Sequence, residues 1–351
     1  MNAPIRIDLK DVSSFPSRRS EAWKYTDVRR YLRDAPPPAE PLDVSGAGLF
    51  ESVPWNALQL FGNGRTDDGE NTFTDAGTRG LTVRPANPHV HLIRVASDSF
   101  DGGWQGLIDY TVGPNDHAIL LETYEGRGGY VANMALKLSV MEGGRLDRIV
   151  VADDAAEAIS FSRADVALGK GAEFTQTIVT NGAKLQRFET HVANPGEGSE
   201  VRIDGVYALD GTRHADLTSV VRHEGLNGVT SQLTKGVVRD TARGVFQGKI
   251  VVERGADGTD ARMGHHALIL GERAEVDAKP ELEIYADDVQ CAHGNTVGNL
   301  DESALFYMQQ RGIPADEARA LLTQAFLFEV VDRIAHEGAR EVVRAWLTAR
   351  L

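Results

Sequence analysis

The strongest concentration of reactive side chains is Glu281-Leu282-Glu283-Ile284-Tyr285-Ala286-Asp287-Asp288-Val289-Gln290-Cys291-Ala292-His293-Gly294-Asn295-Thr296. Leu282, Ile284 and Ala286 alternate with Glu283, Tyr285 and Asp287, which predicts a strand. If the strand continues, Cys291 and His293 lie two apart and project from one face. A thiolate beside an imidazole can ligate iron, zinc or copper, the thiolate being the softer donor. The bland alternative is a buried structural cysteine. A closed zinc or iron–sulfur site takes four protein ligands, and this stretch offers two, so a partner or substrate would have to complete the shell. The carboxylates have a second reading. Glu281, Glu283 and Asp287-Asp288 could supply the acid and base of a β-helix carbohydrate-active enzyme. No dense aromatic series along one face accompanies them, so turn or solvated-face residues are the plainer account.

Other chemistry is missing from the sequence. There is no G-x-x-x-x-G-K-[ST], H-E-x-x-H, C-x-x-C or G-x-S-x-G pattern, and Gly244-Val245-Phe246-Gln247-Gly248-Lys249-Ile250 has the wrong spacing for a phosphate loop. The ten histidines are mostly scattered. Cys291 is the one cysteine, which excludes an intramolecular disulfide and a self-contained cysteine cluster site. The 351 residues carry 37 Lys plus Arg against 51 Asp plus Glu, a formal charge of −14, which argues against a nucleic-acid surface. The start, Met1 to Asp8, has no apolar leader, and no run of about 18 apolar residues predicts a membrane span. A cytoplasmic protein is the expectation.

The elements that must position these residues fall into three zones. Residues 1–41 predict a helical segment followed by a semi-rigid linker, with Trp23, Val28, Tyr31 and Leu32 on one side of short turns and Pro36-Pro37-Pro38 and Pro41 ending any helix. Residues 42–299 read as almost wholly β. Runs such as Ala118–Tyr124, Phe174–Val179, Val201–Tyr207 and Val245–Val252 are β-branched or aromatic and are separated by turns such as Gly169-Lys170-Gly171 and Gly225-Leu226-Asn227-Gly228. A sandwich or a solenoid would fit. The length of this helix-free stretch favours a solenoid of irregular coils. Residues 300–351 predict helices: one capped by Asp301 or Ser303 and stopped by Gly312, a second from Pro314 broken at Gly338, and a last one with Val342, Val343, Trp346 and Leu347 on one stripe. They could form a docking appendage or a plain cap on the solenoid.

At these residues the chain resembles the SufB/SufD family of iron–sulfur cluster assembly scaffolds, and within it the SufD branch. The resemblance is carried by Phe246-Gln247-Gly248-Lys249-Ile250, Thr259-Asp260-Ala261, Leu282 to Val289, Cys291 to Gly298, Leu305-Phe306-Tyr307-Met308 and Arg311-Gly312-Ile313. Near the start, Phe15-Pro16-Ser17-Arg18-Arg19 and Glu21-Ala22-Trp23-Lys24-Tyr25-Thr26 resemble the family's leader. The resemblance implies a right-handed parallel β-helix between helical terminal segments. It also implies a non-enzymatic scaffold that pairs through its last coil with a SufB-like paralogue, or with a second copy of itself, and docks a SufC-like ATPase on its C-terminal helices. Phe306, Tyr307, Arg311, Leu321, Leu322 and Phe326 are the candidate docking residues. His293 matches a candidate cluster ligand at the paralogue interface, with Cys291 beside it. Iron or an Fe–S cluster would then be transient and shared with the partner, none being held tightly by this chain alone. Gly294, where SufB-type chains tend to carry glutamate, and the absence of further cysteines place the chain with SufD. Asn295 departs from the alanine common at that position.

Overall fold

The computed structural model describes residues 6–66, 78–82 (backbone only), 88–194 and 196–351. Successive strands alternate between two parallel sheets, so the chain winds as a flattened solenoid. One sheet begins with the antiparallel pair Ala57–Gly62 and Arg65–Thr66. It continues through His89–Asp98, His117–Arg127, Arg145–Asp153, Glu173–Thr180, Glu200–Leu209, Val229–Val238 and Thr259–Ile269 to Val289–Gly298. The other runs from Thr78–Thr82 through Gly103–Val112, Val131–Val140, Ile159–Leu168, Leu185–Asn194, His214–His223 and Arg243–Val252 to Glu275–Ile284. The β-branched runs form these strands because alternate side chains pack inward on the coils above and below. Phe174, Ile178, Phe188 and Val192 are buried in this interior.

The N-terminal segment lies along the outer face of the second sheet. Trp23 packs edge-on against Phe161 and beneath the Arg187 guanidinium, and Arg187 Nη1 donates to the Ala22 carbonyl at 2.9 Å. Thr26 donates to the buried Asp216 carboxylate. The short helix α1 (Val28–Tyr31) buries Val28, while Tyr31 turns to solvent and leaves the apolar side predicted for it. The proline stretch is no free linker. Gly103 donates to the Pro37 carbonyl at 2.7 Å and Ala39 donates back to Gly103 at 2.9 Å, so the extended backbone that proline favours is tied to a strand edge.

Three further helices follow the last strand: α2 (Glu302–Gln310), α3 (Ala315–Val331) and α4 (Glu337–Thr348). The Asp301 carboxylate accepts from the Ser303 and Ala304 amides, and Gly312 takes a φ of +88°, which only glycine adopts without strain, to end α2. The break after α3 comes earlier than glycine placement predicts. It ends at Val331, His336 Nδ1 accepts from the Ala339 amide to start α4, and Gly338 lies inside the first turn of that helix. The helices do not close the end of the solenoid. Leu327, Val330, Val331, Val343, Trp346 and Leu347 pack on the outer face of the first sheet against residues such as Val179, Val206, Val237 and Leu268. That sheet face is itself apolar, and burying it against an amphipathic helix pair removes both surfaces from water. The cap reading therefore fails.

One buried carboxylate under this helical layer gives the fold a pH dependence. Asp204 is fully buried; one oxygen accepts from the Leu233 amide at 3.1 Å, and the other lacks a hydrogen bond although Arg333 Nε lies 3.1 Å away. Burial pushes its pKa from 3.8 to about 7, against the opposing pull of Arg333 and Arg202. The folded form thus holds the proton more tightly than the unfolded chain. Its stabilising contribution is full below pH 3.8 and is lost as pH rises through about 7. Asp204→Asn is expected to remove a slope of up to about 1.4 kcal/mol per pH unit across that window, read as urea midpoints from pH 4.5 to 8. Parallel profiles for the variant and the parent would contradict this.

Candidate functional site

The terminal coil consists of Glu275–Ile284 and Val289–Gly298, the last strands of the two sheets. Among the described residues each pairs with one neighbour, so the other edge of each presents unpaired backbone groups. Residues on the coil below are largely buried, whereas those on Val289–Gly298 are mostly exposed. The solenoid is open at this end.

Register decides which side chains face the opening. Cys291 lies opposite Ala261, His293 opposite Met263 and Asn295 opposite His265. Ala261, Met263 and His265 are buried in the interior, so Cys291, His293 and Asn295 extend the same inward column onto a coil above which none of the described strands stacks. At the rise of a strand, the Cys291 and His293 Cα atoms are about 7 Å apart. The structure therefore sets the two predicted donors on one face. Cys291 is half-buried against a small cluster of Phe246, Ile250, Val252, Ala256, Ala261 and Met263. Burial, reinforced by Asp260, raises its pKa above 9.0 despite a hydrogen bond from the Ala261 amide. The thiol thus keeps its proton near neutral pH, and only a cation at the sulfur would displace it. His293 is exposed.

Among the described residues no group of three or more His, Cys, Asp or Glu is arranged to hold a metal ion. The carboxylates nearby do not complete the shell. Glu283 pairs with Lys249 at 2.6 Å and Glu281 with Lys279 at 3.3 Å, on the outer face of their strand. Those pairings also remove them as a free acid–base couple.

The candidate docking residues divide. Phe306 and Tyr307 on α2 are 63% and 60% exposed, and Arg311, also exposed, lies over the Tyr307 ring and donates to its hydroxyl at 3.0 Å. Leu321 on α3 is exposed too. Leu322 and Phe326 are half-buried. Phe326 packs toward the sheet under the Lys235 ammonium, 4.3 Å from its ring centroid, and Lys235 is itself paired with Glu329.

One residue at the open end, His265, and its link to Asn295 escaped the sequence reading. His265 is buried and its pKa is pushed down to about 4 by burial, so it is neutral at pH 7; its Nδ1 lies 2.7 Å from Asn295 Oδ1. They are 30 residues apart, one coil, and only knowledge of the coil register could have joined them.

The architecture is thus a parallel solenoid with an open end that bears Cys291 and His293, and with a helix pair along one sheet. The chain belongs to the SufB/SufD family: the family described as SUF system FeS cluster assembly, SufBD core domain, matches residues 102–326, reaching further toward the N-terminus than the motifs from Val245 onward. The iron–sulfur cluster assembly protein SufD of Escherichia coli is 31% identical over 276 residues, a stretch covering 78% of this chain and 61% of that protein. An iron–sulfur cluster assembly SufBD family protein of Synechocystis is 28% identical, covering 82% of this chain and 68% of its own length. One from Mycobacterium leprae is 27% identical, covering 94% and 90%. Among the described residues no helix is long and apolar enough to cross a membrane.

Proposed function

We propose that this chain is a non-enzymatic scaffold subunit of a cytoplasmic SUF assembly complex, in which iron or a nascent Fe–S cluster is cargo shared across the open end of the solenoid. The observation that carries the reading is the pairing of two unpaired strand edges with a Cys291–His293 column that supplies two donors and no third. Such an end is complete only when a second solenoid supplies both the missing hydrogen-bond partners and the missing ligands. A SufB-like paralogue fits that role, and a second copy of this chain is the alternative occupant, since an edge can pair isologously. On the exposed face of α2 and α3, Phe306, Tyr307, Arg311 and Leu321 would receive a SufC-like ATPase, which accounts for the absence of a phosphate loop in the sequence. Leu322 and Phe326 would support that face from beneath.

The test is purification of the chain with its SUF neighbours. A SufB-like paralogue and an ATPase are expected to co-purify, and a chain recovered alone under conditions where the neighbours are folded would contradict the reading. Leu321→Glu buries no charge in the isolated chain because the residue is already exposed. It is expected to weaken ATPase capture about tenfold while the melting temperature stays within about 2 °C. Unchanged capture would remove Leu321 from the docking surface.

A further inference from the structure

A hydrogen-bonded column inside the last coils ends at the open end of the solenoid. Tyr207 Oη lies 2.9 Å from His265 Nε2, and His265 Nδ1 lies 2.7 Å from Asn295 Oδ1. Tyr207 and His265 are 58 residues apart, and the tyrosine reaches across the coil between them because Gly236 and Gly244 leave room. A Cβ at Gly236 would come within 1.9 Å of the Tyr207 ring, and one at Gly244 within 2.4 Å. The His265 ring is stacked on Phe246 at 4.8 Å with the planes 4° apart, and on Tyr207 at 6.0 Å and 24°. These two stacking contacts hold the plane of the His265 ring.

This arrangement fixes the direction of each bond. An amide oxygen accepts and never donates, so His265 Nδ1 carries a hydrogen and donates it to Asn295 Oδ1. In the neutral imidazole Nε2 then has a free lone pair, which accepts from the Tyr207 hydroxyl. With Oδ1 held by His265, the Asn295 Nδ2 group and its two N–H donors are turned away from the interior. They lie at the open end, two residues from His293 on the same face of the strand.

We propose that Asn295 is a hydrogen-bond donor to an anionic sulfur, thiolate or sulfide, held beside His293, and that Tyr207 and His265 are the positioning residues that aim its amide. The proposal rests on the reading of the open end as an Fe–S cargo site. N–H donors directed at cluster sulfur raise the reduction potential and slow loss of the cluster, and partners of this kind change metal affinity by about 10–100-fold.

Two measurements test it. In the full chain with 15N-labelled histidine, the ring nitrogen shifts of His265 are expected to report the Nδ1–H tautomer, and Tyr207→Phe is expected to disturb it. An Nε2–H tautomer means the amide is turned round and overturns the proposal. Second, the co-purified complex is loaded with ferrous iron and inorganic sulfide. Asn295→Ala is expected to shorten the cluster's lifetime about tenfold and lower its potential, and Asn295→Asp, which places charge against sulfur, to do more. Asn295→Ala is expected to lower the melting temperature by a few degrees, because it leaves the buried His265 Nδ1–H without its acceptor, whereas Asn295→Asp keeps an acceptor there. Equal lifetimes and potentials for all three overturn the proposal. His293→Ala separates the two levels: if it loads as well as the parent, the cargo reading itself fails. If it loads poorly while the Asn295 variants match the parent, only the role of Asn295 fails.

Discussion

Arg148→Met is expected to destabilise the chain by about 3–5 kcal/mol, the largest effect of any single substitution considered for this fold. Arg148 and Glu122 lie in the solenoid interior, both essentially inaccessible to water. The guanidinium donates from Nε and Nη2 to the two carboxylate oxygens at 2.6 and 2.7 Å, and from Nη1 to Gln176 Oε1 at 2.7 Å. Tyr124 donates to the same carboxylate at 3.0 Å. Removing the arginine leaves Glu122 as an uncompensated charge in a medium that solvates it poorly, which costs more than the pair contributes when intact. The double variant Glu122→Leu/Arg148→Met removes both charges and is expected to recover most of the loss. Urea unfolding of the three chains reads the effect directly. A double variant as unstable as Arg148→Met would mean that lost packing, and not the stranded charge, sets the cost.

Val297→Lys is expected to reduce capture of the paired solenoid at least about a hundredfold, near 2.7 kcal/mol, with little change in the stability of the isolated chain. Val297 follows Cys291, His293 and Asn295 on the inward column of the terminal strand and is 45% exposed. A lysine there loses little burial in the free chain. An inward-pointing charge is also one of the devices by which edge strands resist pairing, because a second coil stacked on it would bury an unpaired ammonium. The check is co-purification or equilibrium binding of the SufB-like neighbour, beside a melting curve. Full-strength pairing by the variant would show that the partner does not stack on this coil.

The parts of the architecture legible in the sequence are those written locally. Runs such as Phe174–Val179 and Val245–Val252 declare strands by their own side chains, and the C-x-H spacing puts Cys291 and His293 on one face whichever coil they occupy. What depends on register was not legible. Separations between residues that touch across adjacent coils range from 26 for Arg148 and Glu122 to 34 for Lys249 and Glu283. No fixed period therefore marks the pairs, and the Tyr207–His265–Asn295 column stayed hidden. The seat of the helices was hidden for a related reason. The apolar stripe of Val343, Trp346 and Leu347 announces burial without saying against what, and the outer face of the sheet answers only once Val206, Val237 and Leu268 are known to share it. Gly338 misled because a capping side chain, His336, and not the glycine, sets the helix boundary. The proline stretch misled because composition predicts stiffness and not the Gly103 strand edge that the stretch is bonded to.

The central claim is that the open end of the solenoid offers His293 to shared cargo. Its most direct test is the iron and acid-labile sulfide content of the co-purified complex carrying His293→Ala. Because the residue is exposed, the complex is expected to assemble as before. Its iron and sulfide are expected to fall about tenfold. An intact variant complex with the parent's full complement of iron and sulfide would contradict the account.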